Sequence, residues 1–136
     1  MKLTRASSYA LHAVMHMANQ EKQKPIPSHL IARAQGIPER FLVKVLRPLV
    51  SARLLLSLPG PNGGYCLAKS ANKVSILEIL EAVDGPIRGQ VPFTSSEEEG
   101  NGLDERLEAL CNEVADHSRR RLQKVHVSDL LPSNGH

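Results

Sequence analysis

The stretch "SHLIARAQGIPERFLVKVLRPLV", residues 28–50, places two helical runs on either side of a single glycine and leaves no room for a linker. Ser28 suits the cap of the first run, Gly36 ends it, and Pro38 falls in the first turn of the second, where its missing N–H does no harm. Counted from Ser28, the fifth position is small (Ala32), the ninth is Gly36, and the fourth, tenth, fifteenth and eighteenth are apolar (Ile31, Ile37, Leu42, Val45). Each position has a physical reason. The fifth faces the close crossing of two helices, the ninth must accept a turn that favours glycine, and the rest pack beneath the pair. The spacing predicts a helix-turn-helix, with a plain helical hairpin as the alternative. Pro48 lacks an N–H late in the second helix and predicts a bend or an early end there.

A turn-rich segment follows at once. "LLLSL" reads as a short strand, "PGPNGG" as a turn, and "YCLAK" as the returning strand, with Asn62-Gly63 supplying residues that tolerate positive φ. A hairpin directly after a helix-turn-helix is the wing of a winged-helix domain. Its tip can ride on phosphate or enter the minor groove, or it can simply brace the helices.

Around this centre the chain is helical. From Thr4 to Asn19, the residues Tyr9, Ala10, Ala13, Val14, Met17 and Ala18 follow the 3.6-residue period. His12 and His16 share the polar stripe of that helix without a carboxylate or thiol beside them, which favours solvated or hydrogen-bonded histidines over a metal site. Ser75-x-x-Glu78 forms a capping box ahead of Ile76, Ile79, Leu80 and Val83. Residues 86–102 dissolve into Gly, Pro, Ser and Glu and read as a loop. Helical spacing returns from Leu103 to about Val125 through Leu107, Leu110, Cys111, Val114, Ala115, Ser118 and Leu122, roughly 34 Å if continuous. Such a stripe needs a partner, most simply the same helix of a second subunit. Arg119-Arg120-Arg121 reads as favourable charge near the end of that helix, and Ser128 as the cap of one last turn.

Aromatic residues are only 3% of the chain, so Leu, Ile, Val and Ala must form most of the core. The first twenty residues carry polar interruptions at Ser8, His12, His16 and Asn19, unlike a signal peptide or a membrane span, which points to the cytoplasm. Cys66 and Cys111 lack C-x-x-C spacing, which argues against structural zinc and a disulfide framework. No nucleophile–base set, carboxylate pair or phosphate loop stands out, so an enzyme is not expected.

Charge is divided sharply along the chain. Residues 1–73 hold eleven Lys or Arg against Glu21 and Glu39, a net of +9, whereas the remaining 63 residues carry a net of −6. A basic half suits a polyanion, because Lys and Arg gain by displacing counterions condensed on phosphates. Arg40, Lys44 and Arg47 share one face of the second helix of the pair. A cationic face there suits the major groove, and Arg40 and Lys44 can donate to guanine O6 and N7 or to flanking phosphates. Glu39 can accept from a cytosine amino group or act as a favourable charge in the first helical turn.

"MKLT" with Tyr9-Ala10, "GIPERFLVKVLRPL", "GPNGGYCLA" and "ILEAVDGP" resemble, in order and spacing, the IscR/NsrR/CymR group of bacterial winged-helix transcription regulators, the Rrf family. The likeness is strong over residues 1–86 and looser over the long C-terminal helix. It implies a homodimer on a roughly palindromic operator in double-stranded DNA, with the third helix in the major groove, the wing in the minor groove and the long helix at the dimer interface. The DNA contacts it suggests are Lys2, Thr4, Arg5, Ser28, Glu39, Arg40, Phe41, Lys44, Arg47, Asn62, Gly63 and Tyr65. The suggested dimer contacts are Leu103, Leu107, Leu110, Cys111, Val114 and Leu122.

The chain departs from the family pattern twice. Cluster-bearing members place three cysteines after the "EAVDGP" helix, but residues 86–102 contain none, so neither an iron–sulfur cluster nor any other cofactor or metal is expected. Many relatives also carry an arginine just before the wing glycine, where this chain has Pro59. Phosphate contact by Asn62 and Gly63 is then the modest expectation for the wing. The sequence thus describes a mainly α fold with a small β-hairpin: a winged helix-turn-helix over residues 1–85, a flexible loop over 86–102, and a dimerisation helix and tail over 103–136. The function expected is a dimeric, sequence-specific regulator, a repressor, in the bacterial cytoplasm at the nucleoid. Two alternatives keep the fold: a cysteine-based redox sensor using Cys66 or Cys111, and a winged-helix module that binds protein.

Overall fold

The computed structural model describes residues 1–92 and 102–133. Helix α1 (Arg5–Ala18) leads to α2 (Ser28–Gln35) and α3 (Glu39–Ser51), then to the strands β1 (Leu55–Leu58) and β2 (Gly64–Leu67). A single 3₁₀ turn at Ala71–Lys73 precedes α4 (Ile76–Asp84), the long α5 (Leu103–Gln123) and the short α6 (Val127–Leu130). The expected class, mainly helical with one antiparallel hairpin and a long C-terminal helix, is the one observed.

The core is aliphatic, as the scarcity of aromatics requires. Ala10, Ala13, Val14 and Met17 of α1 meet Ile31 and Ala32 of α2, Leu42, Val45, Leu46 and Leu49 of α3, and Ile76, Ile79 and Leu80 of α4. Ala32 lets α2 approach α3, and Gly36 closes α2 in the left-handed region at φ 64° with Ile37 N–H donating to Ala32 O at 2.9 Å. Thr4 caps α1 by accepting from Ser7 N–H at 3.0 Å, and the capping box at Ser75 and Glu78 closes the start of α4.

Four local expectations change. Ser28 does not cap α2; it is the first helical residue, and its hydroxyl donates across the turn to Glu39 Oε1 at 3.0 Å. Pro48 does not end α3, which runs to Ser51, because Leu46 and Leu49 on either side of it are held in the core. The positive φ angles of the wing fall on Gly60 and Gly64, not on Asn62-Gly63. Gly63 is needed for room instead, since a Cβ there would sit 2.0 Å from Leu58 O. The last helix starts after His126, whose N–H donates to Asp129 Oδ2 at 2.8 Å, so Ser128 lies inside it.

Two pairings that join distant segments have no local signature. Ile26 and Tyr65 exchange N–H···O bonds of 2.9 Å, laying the segment before α2 along the wing. Ile76 N–H donates to Val125 O and Val127 N–H to Val74 O, which fastens the end of α5 and Val127 beside the start of α4. Of the expected loop 86–102, residues 93–101 lie outside the described residues. Its first part is tied down: Ile87 N–H donates to Glu81 Oε2 and Gly89 N–H to Asn112 Oδ1, each at 2.8 Å.

Candidate nucleic-acid interface

Burial of Leu42, Val45, Leu46 and Leu49 fixes the rotation of α3, and that rotation turns Arg40, Phe41, Lys44 and Arg47 outward. Arg40, Lys44 and Arg47 have no carboxylate partner among the described residues. Three unneutralised cations therefore line one exposed face, where desolvation against another protein element would be costly and contact with phosphate favourable.

Phe41 stands among these charges with 39% of its surface exposed. The Arg40 guanidinium carbon lies 4.8 Å from its ring centroid and Lys44 Nζ 5.7 Å, so both cations lean on the ring and restrict it. Glu39, one residue earlier, holds the Ser28 hydroxyl and is thereby fixed at the start of α3. Each is the first residue of its helix.

Where α1 crosses α3, Arg5, Ala6, Tyr9, Phe41, Lys44 and Val45 border an open cleft. Its floor is apolar and its rim carries the two cations Arg5 and Lys44. Ala6, Tyr9 and Val45 carry no sequence signal for this cleft, because only the crossing of two helices brings them to Phe41. Thr4 and Lys2 lie just ahead of α1, but the Thr4 hydroxyl donates to the Asp84 carboxylate, at 2.8 Å to Oδ2. Buried Ser7 donates to the same carboxylate oxygen at 2.5 Å. Thr4 thus ties the start of α1 to the end of α4.

The wing holds some of its expected contact residues inward and others outward. Gly63 is buried, and its N–H already donates to Gly60 O at 3.0 Å, so that amide is engaged in the turn. Tyr65 is half-buried and packs on the core. Asn62 is the exposed polar residue at the tip, and Leu56 and Leu58 are exposed on β1.

The α5 stripe separates into two faces. Ala115 is buried, Leu122 packs on the chain's own core and Cys111 is half-buried, close to Gly89. Leu103, Leu107, Leu110 and Val114 face outward, the last two 56% and 59% exposed. Arg119 is not a spare charge at the helix end, since it pairs with Glu81 of α4.

Cys66 on β2 and Cys111 on α5 are the two thiols of the chain, and the segment after α4 contains neither cysteine nor histidine. That donor set does not fit a three-cysteine cluster site. Among the described residues no group of three or more His, Cys, Asp or Glu side chains is placed to hold a metal ion. His16, one of the paired histidines of α1, instead shares a 3.1 Å hydrogen bond with Gln35.

A helix-turn-helix with an exposed cationic second helix and a following wing defines a winged-helix DNA-binding protein. The family profile described as "Rrf2: Iron-dependent Transcriptional regulator" matches residues 3–133, and the chain belongs to this family of transcriptional regulators. It is 36% identical over 84 residues to the HTH-type transcriptional regulator IscR of Pectobacterium carotovorum, covering 62% of this chain and 51% of the relative. It is 37% identical over 84 residues to IscR of Vibrio campbellii, covering 62% and 50%. The chain thus spans about half the length of the curated relatives it matches. Among solved structures it is similar to CymR, the global cysteine regulator of B. subtilis, with a TM-score of 0.74 at 24% identity over 96% of this chain and 95% of that one. It is also similar to T. potens IscR, with a TM-score of 0.73 at 21% identity over 96% and 85%. The family is one of regulators, not enzymes, and no helix among the described residues is long and apolar enough to cross a membrane.

Proposed function

We propose that the chain is a homodimeric, sequence-specific repressor that acts on a roughly palindromic DNA operator without an iron–sulfur cluster, in the bacterial cytoplasm at the nucleoid. The observation that carries this reading is the face of Arg40, Lys44 and Arg47 on α3, free of carboxylate partners among the described residues and beside an exposed Phe41. Residues 1–85 serve as the DNA-binding unit, 86–102 as the connection, and 103–136 as the dimerising part. On the duplex, Arg40 and Lys44 reach base edges or flanking phosphates, Arg47 a phosphate, and Glu39 the start of the recognition surface. Lys2, Arg5 and Asn62 lie at its edges, with Asn62 touching the backbone.

Leu103, Leu107, Leu110 and Val114 form the dimer contact on α5, while Cys111 and Leu122 support the helix from within its own subunit. Cluster-free action is favoured by the donor set, two thiols on separate elements. Selection of tight-binding duplexes from a random pool, followed by titration of the recovered sequence against scrambled DNA at several salt concentrations, tests the reading. Sequence preference and a steep fall in affinity with salt are expected; equal binding to both duplexes would reject specificity. Transcription from a promoter carrying the selected site should fall when the protein is present, and a rise would reverse the sign of regulation.

A further inference from the structure

The cleft between α1 and α3 is an unusual feature for a surface directed at a polyanion. A phosphate-binding surface requires cations and polar donors, yet this cleft is floored by Ala6, Tyr9 and Val45 and walled by the exposed ring of Phe41. Arg5 and Lys44 stand at its rim with no ion-pair partner among the described residues. Leaving an aromatic ring two-fifths exposed is unfavourable in the free protein, and Arg40 and Lys44 hold it in place. An apolar recess between two cations fits an apolar group that lies between two phosphates. In the major groove of DNA that group is the thymine 5-methyl, the one apolar substituent a base pair presents there.

We infer that this cleft is a receptor for a thymine methyl group, with Phe41 as its specificity-determining contact and Arg5 and Lys44 on the phosphates at either side. The inference rests on the DNA-binding reading above and adds a base identity to it. Phe41 then reads sequence, and the cations beside it fix register.

The test replaces thymine with uracil, one position at a time, in the duplex recovered by selection with the full chain. The change removes a methyl group and leaves every hydrogen-bonding edge intact. Wild-type protein is expected to lose affinity about threefold to tenfold at one thymine position in each half-site. Phe41→Ala should bind the thymine duplex with a comparable loss and show no further loss on uracil. Phe41→Leu, which retains an apolar side chain, should keep part of the methyl preference, and its circular dichroism reports folding separately. Unchanged wild-type affinity at every thymine-to-uracil position would overturn the inference and leave the regulator reading standing. So would a methyl preference that persists undiminished in folded Phe41→Ala. If no duplex were selected at all, the DNA-binding reading would fail and the inference with it.

Discussion

Individual side chains of α3 do two kinds of work, and the boundary between them is set by rotation about the helix axis. Leu42 and Leu46 are fully buried, so truncation of either to Ala should destabilise the chain by about 2–5 kcal/mol in urea unfolding. Lys44, half a turn away, is exposed, and the proposed function gives it a binding role. Lys44→Ala should leave the unfolding midpoint nearly unchanged and weaken operator binding. If its role is a phosphate contact, the slope of log affinity against log salt should fall by about one; if it reads a base, discrimination at that base should fall by about 1–3 kcal/mol, both measurable by fluorescence anisotropy. Ser28 shows how a residue can be placed correctly at an element boundary and still be given the wrong task. Caps are recognised by residue type and position, but Glu39 becomes a competing acceptor only once the two helices have turned toward each other. Ser75→Ala should cost about 1 kcal/mol of stability, because both halves of that capping box are formed.

At the scale of elements, local patterns carried far. The order of helices, the hairpin and the capping box of α4 all follow from periodicity and turn chemistry that act over a few residues. What local pattern missed was long-range pairing. The bridge between Ile26 and Tyr65 joins a proline-flanked connector to the wing, and nothing in "KPIPS" announces a partner about forty residues away. The wing glycines divide their tasks in a way that composition does not show: Gly60 and Gly64 take positive φ, and Gly63 makes room for Leu58 O. Gly63→Ala should therefore disturb the tip at a local cost of about 1–3 kcal/mol, seen as faster amide exchange over residues 58–65. If the wing only braces the helices, operator affinity should follow stability alone.

For the molecule as a whole, the central question is what α5 packs against. Its spacing suggested a single apolar stripe, but the fold divides it between Ala115 and Leu122, turned toward the chain's own core, and Leu107, Leu110 and Val114, turned outward. The two sides should respond differently to substitution. Leu110→Asp combined with Val114→Asp should convert a dimer to a monomer in sedimentation equilibrium and abolish cooperative occupation of a two-half-site operator. Leu122→Ala should lower the unfolding free energy by about 2 kcal/mol and leave the oligomeric state unchanged. A monomer at all concentrations in the unsubstituted chain would overturn the dimer proposal.

The sequence alone determined the helix-turn-helix, the wing after it, the aliphatic core and the concentration of positive charge in the first half. Those features depend on residue type and short spacing, which act before any tertiary contact exists. The tertiary structure decided which face of α5 is left exposed, that Thr4 and Ser7 are tied to Asp84, and that Tyr9 and Val45 share a cleft with Phe41. Each of these depends on how far one helix is rotated and where it crosses another, and that geometry is fixed only when the buried side chains of several elements pack together.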